Sequence, residues 1–203
     1  NQNLLIKSAA LALDYVNKNY RGKVNHIINY KKINDSDVMI LDGYTVKNLE
    51  IFKSISSGNN SGTLINSIDK TKTSSGSRLL KKIISRPLTD INKINIRLDR
   101  IEELNKNLKT RDFIIDKLEE SSDLERLISK ISANKANPRD LISLSTSLEI
   151  LDLISDYISK SKLKKISDLV SSRFDLKDII FNISNSVVSD PPANLQKGSF
   201  IKD

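Results

Sequence analysis

The sequence predicts an all-α helical bundle, with room for one short strand near residues 27–41. Three observations carry that prediction. Apolar residues recur at three- and four-residue spacing along much of the chain. Leu and Ile dominate an apolar fraction of 38%, aromatics stay at 5%, and there are only six Gly and four Pro, a balance that favours helices over a turn-rich sandwich. Helix-start signals, small hydroxyl, Asp or Asn residues, precede several of the apolar runs.

Residues 3–19 are the first expected helix. Leu4, Leu11 and Tyr15 share one side, Leu5, Ala12 and Val16 the adjacent one, and Gly22 follows its end. Residues 23–37 lack a clean period and predict an extended surface crossing. It holds His26, the only histidine of a chain without cysteine, which cannot assemble an ordinary transition-metal site by itself. Residues 38–41 are a short apolar run, either a buried strand or a helix lead-in. Asp42 offers a cap to a short helix carrying Val46, Leu49, Ile51 and Phe52, after which SISSGNNSG at 54–62 must turn. Residues 63–69 resume with Leu64, Ile65 and Ile68.

Residues 73–104 organise the rest. Thr73, Ser74 and Ser75 are suited to accept the unpaired first N–H groups of a helix starting near Ser75. Leu79, Leu80, Ile83 and Ile84 then share one face, while Arg78, Lys81, Lys82 and Arg86 take the other. Pro87, which lacks an N–H, stops the helix. Asp90 caps a second one with the stripe Ile91, Ile94, Leu98, Ile101, Leu104 and Leu108, and with Glu102 four residues before Lys106.

Residues 110–120 predict a short helix with Phe113, Ile114 and Leu118. Ser122 and Glu125 then fit a reciprocal capping box before Leu124, Leu127, Ile128 and Ile131. Asp123, Glu125 and Arg126 fall on a polar face that is solvated or shared between helices. Two acids in a first turn suit the helix dipole better than acid–base chemistry. Asn137 and Pro138 open the longest helix, whose seam is expected to be Leu141, Leu144, Leu148, Leu151 and Ile158, with Ile154 on its flank. Lysines at 160, 162, 164 and 165 mark its end. Residues 163–170 and 176–187 predict two further helices, the second with Ile179, Ile180 and Ile183 as its core face. Asp190, Pro191 and Pro192 end regular structure.

The net charge of +8 is not evenly spread. Residues 70–111 hold twelve basic and four acidic side chains, whereas residues 112–203 hold thirteen and fifteen. A coding bias toward lysine would spread the excess, so clustering points to a local cause such as a phosphate backbone or an acidic neighbouring domain. Arg78, Lys81, Lys82 and Arg86 are the candidate phosphate-contacting face. A solvated helix face is the plain alternative for each.

The run SSGSRLLKKIISRPL followed by INIRLDRIEEL resembles the core, or lever, domain of the DNA mismatch repair MutS family. SAALALDYV, LDGYTVKNLEIF, SGTLINSIDKTKT, DLERLISKIS, NPRDLISL and DPP with KGSFIKD agree with it in the same order, over nearly the whole chain. The resemblance implies that residues 1–22 are the last helix of a connector domain and residues 23–203 the first part of the core domain, ending before the lever helix and clamp. It implies a longer parent, a dimeric DNA-dependent ATPase acting on mismatched duplex DNA in the cytoplasm or another DNA-containing compartment.

This chain has no G-x-x-x-x-G-K-[ST] phosphate loop, and no phenylalanine is followed by Glu two residues on, the wedge motif by which the family reads a mismatch. The expectation is therefore a non-catalytic scaffold with no catalytic, cofactor or metal residues of its own. ATP and Mg would belong to the parent's ATPase domain, and the partners would be other MutS domains and, through the parent, duplex DNA. A protein–protein adaptor and an autonomous weak DNA binder are the rival readings. No apolar run is long enough to span a bilayer, and no signal peptide is visible, so neither a membrane nor secretion is expected.

Overall fold

Helices carry most of the described residues, and a short polar side chain sets the start of most of them. The computed structural model describes residues 2–19, 36–171, 175–192, 198 and 200–202. It divides into two units, residues 1–36 and 37–203. The first contains α1, Gln2–Asn19, where Leu4, Leu11 and Tyr15 are 65%, 71% and 70% exposed. The expected boundary between residues 22 and 23, His26, and most of the window 27–41 lie outside the described residues.

In the second unit, α2 (Gly43–Asn48) begins where the Asp42 carboxylate accepts the Thr45 N–H at 2.6 Å. Asp42 lies below the ordinary carboxylate range because of that hydrogen bond. The helix expected to run on through Leu49, Ile51 and Phe52 stops at Asn48. Glu50 takes φ 46°, and its carboxylate accepts the Ile55 N–H and the Ser54 hydroxyl, which reverses the chain. The reversal buries Ile51 to 3% exposure, and its carbonyl accepts from Ile65, also 3% exposed, in α3 (Leu64–Ile68). Thr63, wholly buried, caps α3 through the Asn66 N–H.

Thr73 caps α4 (Ser74–Ser85) and Asp90 caps α5 (Ile91–Lys106), as the sequence predicts. Between them the Pro87 carbonyl accepts the Met39 N–H at 2.7 Å, and Val38 forms an antiparallel bridge with Leu88. The apolar run at 38–41 is thus a single bridge. A second bridge, Val187 with Ile201, lies outside the region where a strand was expected.

Asn107 interrupts the path from α5 into α6 (Leu108–Glu120), so Leu108 starts a new helix and does not extend the α5 stripe. The cap of α7 (Leu124–Ser132) is Asp123, whose carboxylate accepts the Arg126 N–H at 3.3 Å. The Ser122–Glu125 capping box does not form, because the Ser122 N–H donates instead to Ser147 Oγ at 2.9 Å. A capping box does form at α8 (Pro138–Lys160), between Asn137 and Asp140.

α8 is the central strut, packing against α6, α7, α10 (Lys177–Ser186) and the single-turn α9 (Lys164–Ser167). Its buried face matches the expected seam only at Leu144 and Ile158. Leu144, Ser145, Ser147, Ile150, Ile154 and Ile158 are buried, whereas Leu141, Leu148 and Leu151 are only partly so. Ile154, expected on the flank, is central: with Ile150, Ile158, Leu163 and Ile166 it forms the main cluster, against which Leu104, Ile114, Leu118 and Val170 pack. Phe113 stacks on Tyr157 with ring centroids 4.1 Å apart. The helix expected over 163–170 shortens to α9, and on α10 Ile180 and Ile183 turn inward while Ile179 stays 49% exposed.

Ile154→Ala should therefore destabilise the protein by about 2–5 kcal/mol, since it empties a packed site. Leu153→Ala, at a position 48% exposed, should stay within about 0.5 kcal/mol. Urea denaturation of both variants checks the register, and equal losses would contradict it.

Candidate functional site: the basic helix hairpin

The lead-in to α4 is built from small residues that satisfy one another. The Asp69 carboxylate accepts the Ser77 hydroxyl at 2.5 Å, the Thr71 hydroxyl at 2.6 Å and the Thr71 N–H at 3.1 Å. These bonds, that of Ser77 first, hold Asp69 below the usual carboxylate range. Thr73 Oγ1 accepts the Gly76 N–H at 3.0 Å. A Cβ on Gly76 would stand 3.0 Å from that same oxygen and 3.3 Å from the Thr71 Cβ, so the first turn closes this tightly only around glycine.

The four candidate residues do not form one equivalent face. Arg78 makes a two-pronged contact with Asp123, Nη1 to Oδ2 at 2.9 Å and Nη2 to Oδ1 at 2.7 Å, and Nη2 also reaches Glu125 at 2.6 Å. A parallel guanidinium–carboxylate pair is the strong geometry for arginine. The hydrogen bond to Asp123 raises the Arg78 pKa further, and that from Arg78 holds Asp123 below its ordinary range. Lys81 and Lys82 are exposed and form no ion pair among the described residues, although Lys81 acts on Asp69 at longer range. Arg86 is exposed and has interactions of its own.

Several other cations of the 70–111 region face carboxylates. Lys72 pairs with Glu119, Lys93 with Asp37 and, within α5, Lys106 with Glu102, while the region's Asp99 pairs with Lys165 outside it at 2.5 Å. Side-chain hydrogen bonds to Asp37 and Asp99 raise the pKa of Lys93 and Lys165. Lys72 and Lys93, like Arg78, are thus engaged in ties between elements. Beside the hairpin lies an apolar groove of about 350 Å³, lined by Leu41, Ile51, Leu64, Ile83, Ile84 and Leu98 among others, with Arg97 its one charged residue. Among the described residues no cluster of His, Cys, Asp and Glu is placed to hold a metal ion, and no helix is long and apolar enough to cross a membrane.

A family model described as MutS domain III matches residues 44–203. The chain belongs to the MutS domain III family. Among its relatives, the DNA mismatch repair protein MutS of Methanosarcina mazei is 34% identical over 201 residues, which cover 97% of this chain and 22% of that protein. The corresponding proteins of Desulforamulus reducens and Clostridium tetani are 36% and 32% identical over 97% and 98% of this chain, in each case 23% of the relative. The chain thus spans less than a quarter of the length of these relatives.

In this MutS domain III, two of the motifs that carry the resemblance meet in space: Arg78 of SGSR clasps Asp123 of DLER. Their partnership was hidden in the sequence, since 45 residues separate them and either charge alone suits a solvated helix end. Asp123 should titrate below the ordinary value of about 3.9 in carboxyl NMR. Because its folded-state pKa is depressed, the stability it contributes is complete above the unfolded value and is lost as pH falls through the folded one. Arg78→Gln should move the midpoint back toward 3.9; an ordinary midpoint in both proteins would mean that the clasp does not form in solution.

Proposed function

We propose that this chain is a helical scaffold of a MutS-like mismatch repair protein, with no catalytic role of its own. What supports the reading is the family match over residues 44–203 on a helical body braced by α8. In this proposal residues 1–22 close a connector domain and residues 23–203 form the first part of the core domain. ATP and Mg act in another domain of the parent, and mismatched duplex DNA is engaged by the parent protein, as a dimer, in the cytoplasm or another DNA-containing compartment. Exposed apolar side chains such as Leu79, Leu98 and Ile101, at 57%, 55% and 50% exposure, are where other domains of the parent would pack.

A scaffold of this kind couples two distant sites through stiff elements, and the coupling is a free energy shared between them. Lys81 and Lys82, which form no ion pair among the described residues, and Arg86, which has interactions of its own, are the remaining candidates for phosphate, Arg78 being held by Asp123 and Glu125.

Titration of a labelled duplex tests this. Binding should be weak, indifferent to a mismatch and lost as salt rises, because counterion release is its main source. Reversing Lys81, Lys82 and Arg86 to Glu should weaken it and flatten the slope of log K against log salt by up to about 3. Binding unchanged by the reversal would show that this face does not meet phosphate.

A further inference from the structure

The two ends of α4 are held by different kinds of force. At its trailing end Ile83 and Ile84 line the apolar groove, and Pro87 and Leu88 are joined by backbone contacts to Val38 and Met39. At its leading end the Ser77 hydroxyl bonds to Asp69, and the ties to α6 and α7 are ionic. Lys72, two residues ahead of α4, pairs with Glu119 in the last turn of α6, and Arg78 pairs with Asp123 and Glu125 at the start of α7. Two cations therefore meet three carboxylates that bracket one helix junction. α4 buries no side chain fully, and Leu79, next to Arg78, is 57% exposed.

All of these charges are partly solvated: the side chains of Lys72, Glu119, Arg78 and Glu125 are 44%, 50%, 45% and 69% exposed, and only Asp123, at 21%, is half sheltered. Ion pairs of that kind weaken as salt rises, whereas apolar contacts do not. The leading end of α4 can then open without disturbing the cluster around Ile154, which lies on other helices.

We propose that Lys72 and Arg78 with Glu119, Asp123 and Glu125 form an ionic latch, and that α4 opens from this end about its anchored Pro87 end while the α8 body stays folded. Lys81 and Lys82 ride on this segment, so the latch sets the direction in which they are presented. The inference concerns the position of α4 and stands whether or not those side chains meet phosphate.

Amide hydrogen exchange of the whole chain tests it, comparing residues 79–85 of α4 with residues 150–158 of α8. Between about 0.01 M and about 1 M salt the screening length falls from ~30 Å to ~3 Å. The α4 amides should then exchange about tenfold faster while those of α8 hold their rate. A Glu119→Gln, Asp123→Asn, Glu125→Gln triple variant should show the fast α4 rate already at low salt and lose the salt response. Asn caps a helix as well as Asp does, so α7 keeps its start, and circular dichroism confirms the helix content. Exchange of α4 that ignores both salt and neutralisation would overturn the latch. So would α4 and α8 exchanging in step, which would make the contact part of one global unfolding unit. The wild-type salt comparison decides the matter even if the triple variant does not fold.

Discussion

One hydrogen bond, from the Ser122 N–H to the Ser147 hydroxyl, fixes the register on which the helical body depends. A buried hydroxyl without a partner is costly, so the face of α8 that carries Ser147 must meet a group that can bond to it, and the junction of α6 and α7 supplies one in the Ser122 N–H. Ser147 is 1% exposed, and its own hydroxyl donates to the Ser143 carbonyl at 2.8 Å. With position 147 facing the junction, the helical period brings Ile150, Ile154 and Ile158 round to the same side in turn, where α6 and α9 meet them. The leucines at 141, 148 and 151 are displaced to the edges of the contact. A polar contact of modest size thus decides which apolar residues become the core.

Away from that core, neighbouring helices are tied by polar groups of fixed direction. The Glu103 carboxylate accepts the Ile166 N–H at 2.9 Å, Arg100 donates to the Lys165 carbonyl at 3.2 Å, and Asp99 pairs with Lys165, so three polar contacts join α5 to α9. Arg139 likewise donates to the Pro191 carbonyl at 2.7 Å and links the start of α8 to the segment after α10. Exposed contacts of this sort add little to stability. Their value lies in direction: each is satisfied in one relative placement of two helices, which is what an element that transmits position requires.

The helical class, the starts behind Asp42, Thr73, Asp90 and Asn137 and the break at Pro87 were legible in the sequence because caps and proline act within a few residues of where they stand. What was not legible depended on distant partners. The Ser-x-x-Glu pattern at 122–125 is a sound local signal that loses to Ser147, 22 residues past its end. The leucine seam of α8 is the more apolar stripe by eye, yet two serines lie on the buried side because the junction approaches there. Glu50 gave no sign of leaving the helical region, since its turn is stabilised by its own carboxylate reaching forward to Ser54 and Ile55. For the candidate site, the clustering of positive charge was visible, but its division into Arg78, held by acids, and Lys81 and Lys82, which are not, follows only from the fold.

The glycine at the first turn of α4 ties the fate of several neighbours together. Its missing Cβ lets Thr71 and Thr73 close on the turn, and Thr71 in turn shares the Asp69 carboxylate with Ser77. Any other residue at position 76 brings a Cβ that Thr71 and Thr73 must make room for by a few tenths of an ångström. An alanine at 76 would press on both threonine side chains at once, so its effect would be felt first at the Asp69 carboxylate that Thr71 and Ser77 share.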